Sequence, residues 1–434
     1  RAASYPVFLW ASLSLINVGE ILPDLLLIVW VLLAAGYALE LPQKSYRSPL
    51  LLGVVLGLGY LTKPILFPLG LLFLACSLLA EGDWRWKARR TLVAALCFLA
   101  ISGLYIVPLS LKKQRPTFSD SGALAYGWEV NRISPYFHWQ GRPPGTGSPR
   151  HPTRQILEFP PAYEFDTDQP GTYPLWFDAS YWNEGLRPRF NLSDQMRRLR
   201  TSLRFYGKLL LNEPVPVVLL FSFLLSGVTA GWRPLFREAR VSWFLILFSL
   251  GALGLYSLVF VISRYLASFA VLLVISALGA HWAAIGGLTG PVRRWTLAFS
   301  IFTTVSVAAS GAASAAYGLF GGKPTTYKVH ALVAHELRKM GIKHGDKLAV
   351  VGRGCDPYYA RLSGTKIIAE APVFEGHPEW PHTAENLEKI AAAFREQTRA
   401  AAIVSDVQPV DESFPNLWHR VKETPYWLRK IKRD

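Results

Sequence analysis

The chain alternates long uncharged apolar runs with short polar joints. A helix needs about 20 apolar residues to cross the hydrocarbon core of a bilayer. Runs near that length cover 91–111, 214–232, 241–263, 265–281 and 295–322. Segments 2–19 and 25–39 read as earlier spans. The runs 50–62 and 64–80 are shorter and meet at Lys63-Pro64. That predicts a broken hairpin over 50–80, with its tip at or inside the outer interface.

Two stretches depart from this pattern. Residues 112–208 hold many Trp, Tyr, Pro and Gly and little helical periodicity. Loops longer than about 15 residues are usually functional or disordered, and the aromatic content argues against disorder. Near its end, Met196, Leu199, Leu203 and Tyr206 recur at steps of three to four. This predicts an amphipathic helix over 195–211. Residues 323–434 read as a small α/β domain, with helices at 327–340, 356–362 and 383–398 and strands at 347–351, 366–368 and 401–404. Such alternation favours a parallel sheet. The domains are therefore 1–111 (membrane helices), 112–208 (extracytoplasmic aromatic-rich loop), 209–322 (membrane helices) and 323–434 (extracytoplasmic α/β domain).

Charge orients this arrangement. Lys44, Arg47, Arg85, Lys87, Arg89, Arg90, Arg233, Arg237, Arg240, Arg293 and Arg294 all fall in alternate short joints. Basic loops stay cytoplasmic, so 40–48, 81–90, 231–240 and 282–294 are expected inside. Then 20–24, Lys63, 112–208, Arg264 and 323–434 are outside. Lys63 and Arg264 are the cations in the short outer joints, and each calls for a reason to be there. The chain's net charge is +16, with 51% apolar and 18% charged residues. The basic residues are spread around apolar runs rather than gathered on one soluble face, which argues against nucleic acid as a partner and fits membrane lipids.

The candidate residues each carry two readings. Lys63 is either a phosphate contact or a snorkelling interfacial lysine. Arg264-Tyr265 is either a phosphate grip, since guanidinium offers two parallel donors, or an interface anchor. Asp24, beside Pro23, either favours the helix dipole or lines the mouth of an active site. In the loop, Glu129, Asn131, His138, Trp139, Tyr181, Trp182 and Glu184 set aromatic faces beside hydrogen-bonding groups, as sugar recognition requires; the other reading is a loop packing its own aromatics. Gly352-Arg353-Gly354 lacks the third glycine of a dinucleotide fingerprint and reads as a strand-to-helix turn. The three cysteines, Cys76, Cys97 and Cys355, form neither a disulfide framework nor a metal-ligand spacing. The sequence requires no cofactor and leaves a divalent metal open.

Three segments carry a resemblance. Leu56-Gly57-Leu58-Gly59-Tyr60-Leu61-Thr62-Lys63-Pro64, Ser263-Arg264-Tyr265-Leu266 and Pro23-Asp24 are similar to motifs of the GT-C superfamily. Its members are polytopic glycosyltransferases such as the protein O-mannosyltransferases and lipid A aminoarabinose transferases. The C-terminal Trp418-His419-Arg420 and Thr424-Pro425-Tyr426-Trp427 resemble the ends of bacterial members. The implied fold is a polytopic α-helical membrane protein with a long external loop and a small C-terminal α/β domain, in a bacterial inner membrane. The implied activity is inverting transfer of a sugar from a polyprenyl-phosphate donor to a protein, lipid or glycan acceptor outside the cytoplasm. Lys63, Arg264 and Tyr265 would bind the donor phosphate. The family's base is an Asp in the first external loop, expected upstream of Arg1; Asp24 is the candidate within this chain. The alternatives are a non-catalytic membrane component of an envelope-glycan pathway, or a transporter, although no internal repeat is visible.

Overall fold

The computed structural model describes residues 7–8, 10–16, 22–40, 46–80, 82–133, 153–165, 188–212, 239–286, 326–352, 358–373, 380–408 and 417–431, with isolated positions between 224 and 316. The chain divides into two compact units. One comprises residues 1–122 and 190–322, the other 123–189 and 323–434.

The first unit is helical. Its elements are α1 (Asp24–Leu39), α2 (Arg47–Thr62), α3 (Leu66–Ser77), α4 (Trp84–Lys113), α6 (Leu192–Asn212), α7 (Trp243–Val259) and α8 (Ser263–Gly286); α5 (Ser121–Glu129) follows the first unit's chain into the second. A π-helical turn, Ala11–Ile16, precedes α1. Among the described residues, two stretches are long and apolar enough to cross a membrane, Trp84–Lys113 and Ser263–His281. The apolar helices α1, α2, α3 and α7 are shorter. The expected spans 214–232 and 295–322 lie largely outside the described residues, and 2–19 is described only at 7–8 and 10–16.

Along α4, Leu92, Leu96, Leu104, Val107 and Leu111 are exposed. Burying such side chains is the normal outcome in water; a helix apolar all round suits a lipid environment. The expected basic loop at 81–90 is instead the first two turns of this helix. Asp83 caps it, accepting from the Arg85 N–H at 3.4 Å, and Arg90 lies over the Trp86 ring at 4.8 Å. Small residues let α2 and α4 approach closely. A side chain at Gly53 would meet the Ala94 carbonyl oxygen at 2.5 Å, and one at Gly57 would meet Ile101 at 2.7 Å. This Gly-x-x-x-Gly face is the packing device apolar helices use where lipid removes the hydrophobic drive between them.

The second unit is built on one mixed sheet. Its strands are β1 (Arg154–Leu157), β2 (Ala162–Glu164), β3 (Lys347–Gly352), β4 (Lys366–Pro372), β5 (Ala402–Ser405), β6 (His419–Arg420) and β7 (Trp427–Lys430), in the order β1-β2-β4-β3-β5-β7-β6. The helices are α9 (Thr326–Lys339), α10 (Tyr358–Ser363) and α11 (Ala384–Gln397). The three central strands are parallel, as the alternation predicts. The sheet as a whole is not: β2, β7 and β6 add antiparallel edges. The hairpin β1–β2 comes from the long loop and pairs with β4, Tyr163 opposite Glu370. Phe165 then packs with Val333, Leu337 and Tyr359 on one face of the sheet, while Leu387, Ile390 and Phe394 of α11 cover the other. At the end of β3, Gly352 has φ +114°, and the Asp406 carboxylate occupies the place a Cβ would take. That explains the glycine without a ligand; Arg353 and Gly354 lie outside the described residues.

Candidate functional site: a carboxylate shared by two cations

Proline chemistry sets the first residue of the site. Pro64 pushes the residue before it out of the helical region, and Lys63 adopts φ −151°, ψ 119°. This ends α2 while keeping the backbone satisfied. The Lys63 N–H donates to Gly59 O at 3.0 Å, and the N–H groups of Leu66 and Phe67 return to Lys63 O and Pro64 O at 2.9 and 3.0 Å. The tip of the hairpin therefore presents a lysine at a break between two apolar helices.

Asp24 opens α1. Pro23 precedes it as the cap residue, at φ −75°; the sequence pattern suits Pro23 to the first helical position, one residue later than its observed role. A carboxylate in the first turn is favoured by the positive end of the helix. Lys63 Nζ lies 2.5 Å from Asp24 Oδ1.

Arg264 is the second residue of α8, which starts after the extended joint at Phe260. A cation in a first turn stands at the unfavourable end of the helix dipole, so an anion must offset it. Arg264 Nε is 4.0 Å from Asp24 Oδ2. Among the described residues this buried Nε has no hydrogen-bond partner. Exposure grades outward through the cluster: the side chains of Asp24, Lys63 and Arg264 are 2%, 17% and 34% exposed. The acid is sealed and the guanidinium reaches the surface.

Tyr265 completes the group. Lys63 Nζ sits 3.8 Å from its ring centroid and Arg264 Cζ 5.3 Å away. Tyr265 is held against Tyr256 and Phe260, with centroids 5.7 and 6.0 Å apart. One carboxylate thus faces two cations, leaving one net positive charge above an aromatic face. Such a site suits a phosphate, because guanidinium presents paired donors to phosphate oxygens.

Around it are supports that motif reading missed. Trp30 Nε1 donates to Thr62 Oγ1 at 2.9 Å. Tyr60 OH donates to Phe118 O at 2.8 Å, and Phe118 stacks on Phe67 at 5.1 Å. These clips fix Tyr60 and Thr62, just before Lys63, and the chain leaving α4. Just beyond α4, Asp120 is paired with Arg115 and with Lys113, the latter at 3.3 Å. An indole or phenol that donates only one hydrogen bond leaves no spacing rule by which to find it. Trp30 also lines a small apolar cavity of about 10 Å³ with Leu56, Leu66, Phe73 and Phe248.

The loop residues divide differently. Glu129 ends α5, half-buried. The Asn131 side chain is committed to the backbone of Arg189: Nδ2 donates to Arg189 O at 2.7 Å, and the Arg189 N–H donates to Oδ1 at 3.0 Å. That reciprocal clip closes the loop segment on itself. His138, Trp139, Tyr181, Trp182 and Glu184 lie outside the described residues. Among the described residues, no group of His, Cys, Asp and Glu could hold a metal ion.

Compared with known proteins, the chain matches no family model, no curated protein and no solved structure.

Proposed function

We propose that this chain is a polytopic membrane glycosyltransferase of GT-C type, in a bacterial inner membrane. In this reading it moves a sugar from a polyprenyl-phosphate donor to an acceptor on the extracytoplasmic side. The observation that carries the reading is the meeting of Asp24, Lys63, Arg264 and Tyr265 from three distant segments. They are the residues that the family resemblance nominates, and the pattern of basic joints supports an outer position for all four.

Their chemistry fits the step. The bond between the anomeric carbon and the phosphate oxygen breaks, and its electron pair stays on the phosphate. The acceptor oxygen takes the sugar, and its proton passes to a base. Negative charge therefore grows on the phosphate, where preorganised cations stabilise it most. Arg264, half out of its pair and with an unmet Nε donor, is the phosphate grip. Asp24 holds the two cations at one place, and Tyr265 supports them from below.

The test is release of polyprenyl phosphate from a polyprenyl-phosphate sugar by reconstituted protein, with envelope extract as the acceptor source. Arg264→Ala is expected to slow release by about 10²-fold or more, with folding intact. Equal release by the variant would remove Arg264 from the mechanism.

A further inference from the structure

Helix α6 carries cations that the site above does not use. One face of this helix is packed. Gln195 Nε2 donates to Leu258 O at 2.8 Å, Ser202 Oγ to Ser257 O at 2.8 Å and Tyr206 OH to Leu253 O at 2.7 Å, all on α7. Phe205, Tyr206 and Leu209 join the apolar core. With 3.6 residues per turn, a second stripe runs beside this one. Leu192, Met196, Leu203 and Leu210 lie on it, and they are 65%, 44%, 57% and 52% exposed. A third stripe follows, Arg200, Arg204 and Lys208, spaced four apart and exposed.

The composition of the helix is lopsided. It has five cations, Arg197, Arg198, Arg200, Arg204 and Lys208, against one acid, Asp194. Asp194 is taken by Arg197 at 2.6 Å, and Arg198 lies over the Phe260 ring at 5.2 Å. Arg200, Arg204 and Lys208 have no ion pair or hydrogen bond among the described residues. Like charges four apart on a helix repel, so such a row is unfavourable without an external anion. An exposed apolar stripe flanked by cations is what a helix lying in a lipid–water boundary requires.

We propose that α6 lies in the headgroup layer of the membrane. Leu192, Met196, Leu203 and Leu210 enter the acyl boundary, and Arg200, Arg204 and Lys208 bind anionic phospholipid headgroups. The charge row selects an anionic bilayer surface, and α7, on which α6 packs, likewise exposes Leu250 and Leu258. The inference rests on the membrane reading of the chain and not on sugar transfer. Lys63 and Arg264 are untouched by its test, so its failure and that of the transferase reading are separable.

The test uses the full chain. Purified protein is equilibrated with an equal mixture of phosphatidylglycerol and phosphatidylcholine, and retained lipid is counted by native mass spectrometry. Wild type is expected to retain phosphatidylglycerol several-fold over phosphatidylcholine. Arg200→Gln/Arg204→Gln/Lys208→Gln is expected to lose that preference with thermal unfolding unchanged. Equal retention by both proteins would overturn the proposal. In a second arm, a fluorophore on Leu203→Cys in nanodiscs is expected to be quenched by nitroxide lipids several-fold more than one on Thr201→Cys, on the opposite side of the helix. A Leu203 label that is shielded from water but unquenched by lipid would assign this face to a protein partner and overturn it too.

Discussion

Lys63 and Asp24, 39 residues apart, meet at 2.5 Å between Nζ and Oδ1. The lysine ends one helix and the aspartate begins another, so their pair ties the end of α2 to the start of α1, beside the Trp30–Thr62 hydrogen bond. Asp24 is sealed from solvent. A sealed ion is costly unless paired, and removing one partner of a buried pair typically costs about 3–5 kcal/mol.

Lys63→Met is therefore expected to destabilise the helical unit, and Asp24→Asn to do the same. The double variant removes both members of this pair, leaving Arg264 without its anion, so it should be less destabilised than the sum of the two, with a coupling of about 1–3 kcal/mol. Thermal unfolding in detergent measures this. Strict additivity would mean the two side chains are not paired.

The α2–α4 contact makes a steric forecast. Gly53→Ala places a methyl group 2.5 Å from the Ala94 carbonyl oxygen, and backbone cannot swing aside. A loss of about 1–3 kcal/mol is expected, as for overpacking generally. At Gly103 a Cβ meets nothing within 4 Å, and Gly103→Ala should be neutral or stabilising, since alanine is the better helix former. Equal effects at the two sites would contradict the close approach.

In the second unit, Phe165 lies in the long loop yet is 2% exposed within the core that α9 and β3 build. Phe165→Ala is expected to cost about 3–5 kcal/mol. Hydrogen exchange should then accelerate in β3 and β4, far away in sequence. Unaltered protection there would show that the loop and the C-terminal strands fold separately.

The clip between Asn131 and Arg189 is local. In Asn131→Ala the Arg189 amide loses its acceptor, so its exchange should quicken while that of Leu348 in β3 stays slow. An unchanged Arg189 amide would mean that another group holds it.

Much of this was legible from residue order, for reasons that can be named. Pro64 announced the end of α2, and Pro23 with Asp24 announced the start of α1. Lys63 and Arg264 stood out as the cations in the short joints expected outside. Helices α9 and α11 and strands β3 to β5 followed from their periodicity, with ends within a few residues of those expected. Other features had no local signal. The pairing of Asp24 with two cations depends on how three segments fold together. The hairpin β1–β2 is too short to stand out, and its partner β4 lies some two hundred residues on. The antiparallel edge strands were not expected, because the helix–strand alternation describes only the three central strands, which are parallel. The basic stretch that opens α4 read as a loop, although its arginines lie on a capped helix and Arg90 lies over the Trp86 ring.

The central claim is that Lys63 and Arg264 form a phosphate site. Binding of polyprenyl phosphate to the purified protein tests it most directly, comparing wild type with Lys63→Ala/Arg264→Ala, with thermal unfolding verifying that both are folded. Saturable binding by wild type, weakened at least tenfold in the double variant, is the expected result. Equal binding by the two proteins, or none by a folded wild type, would contradict it.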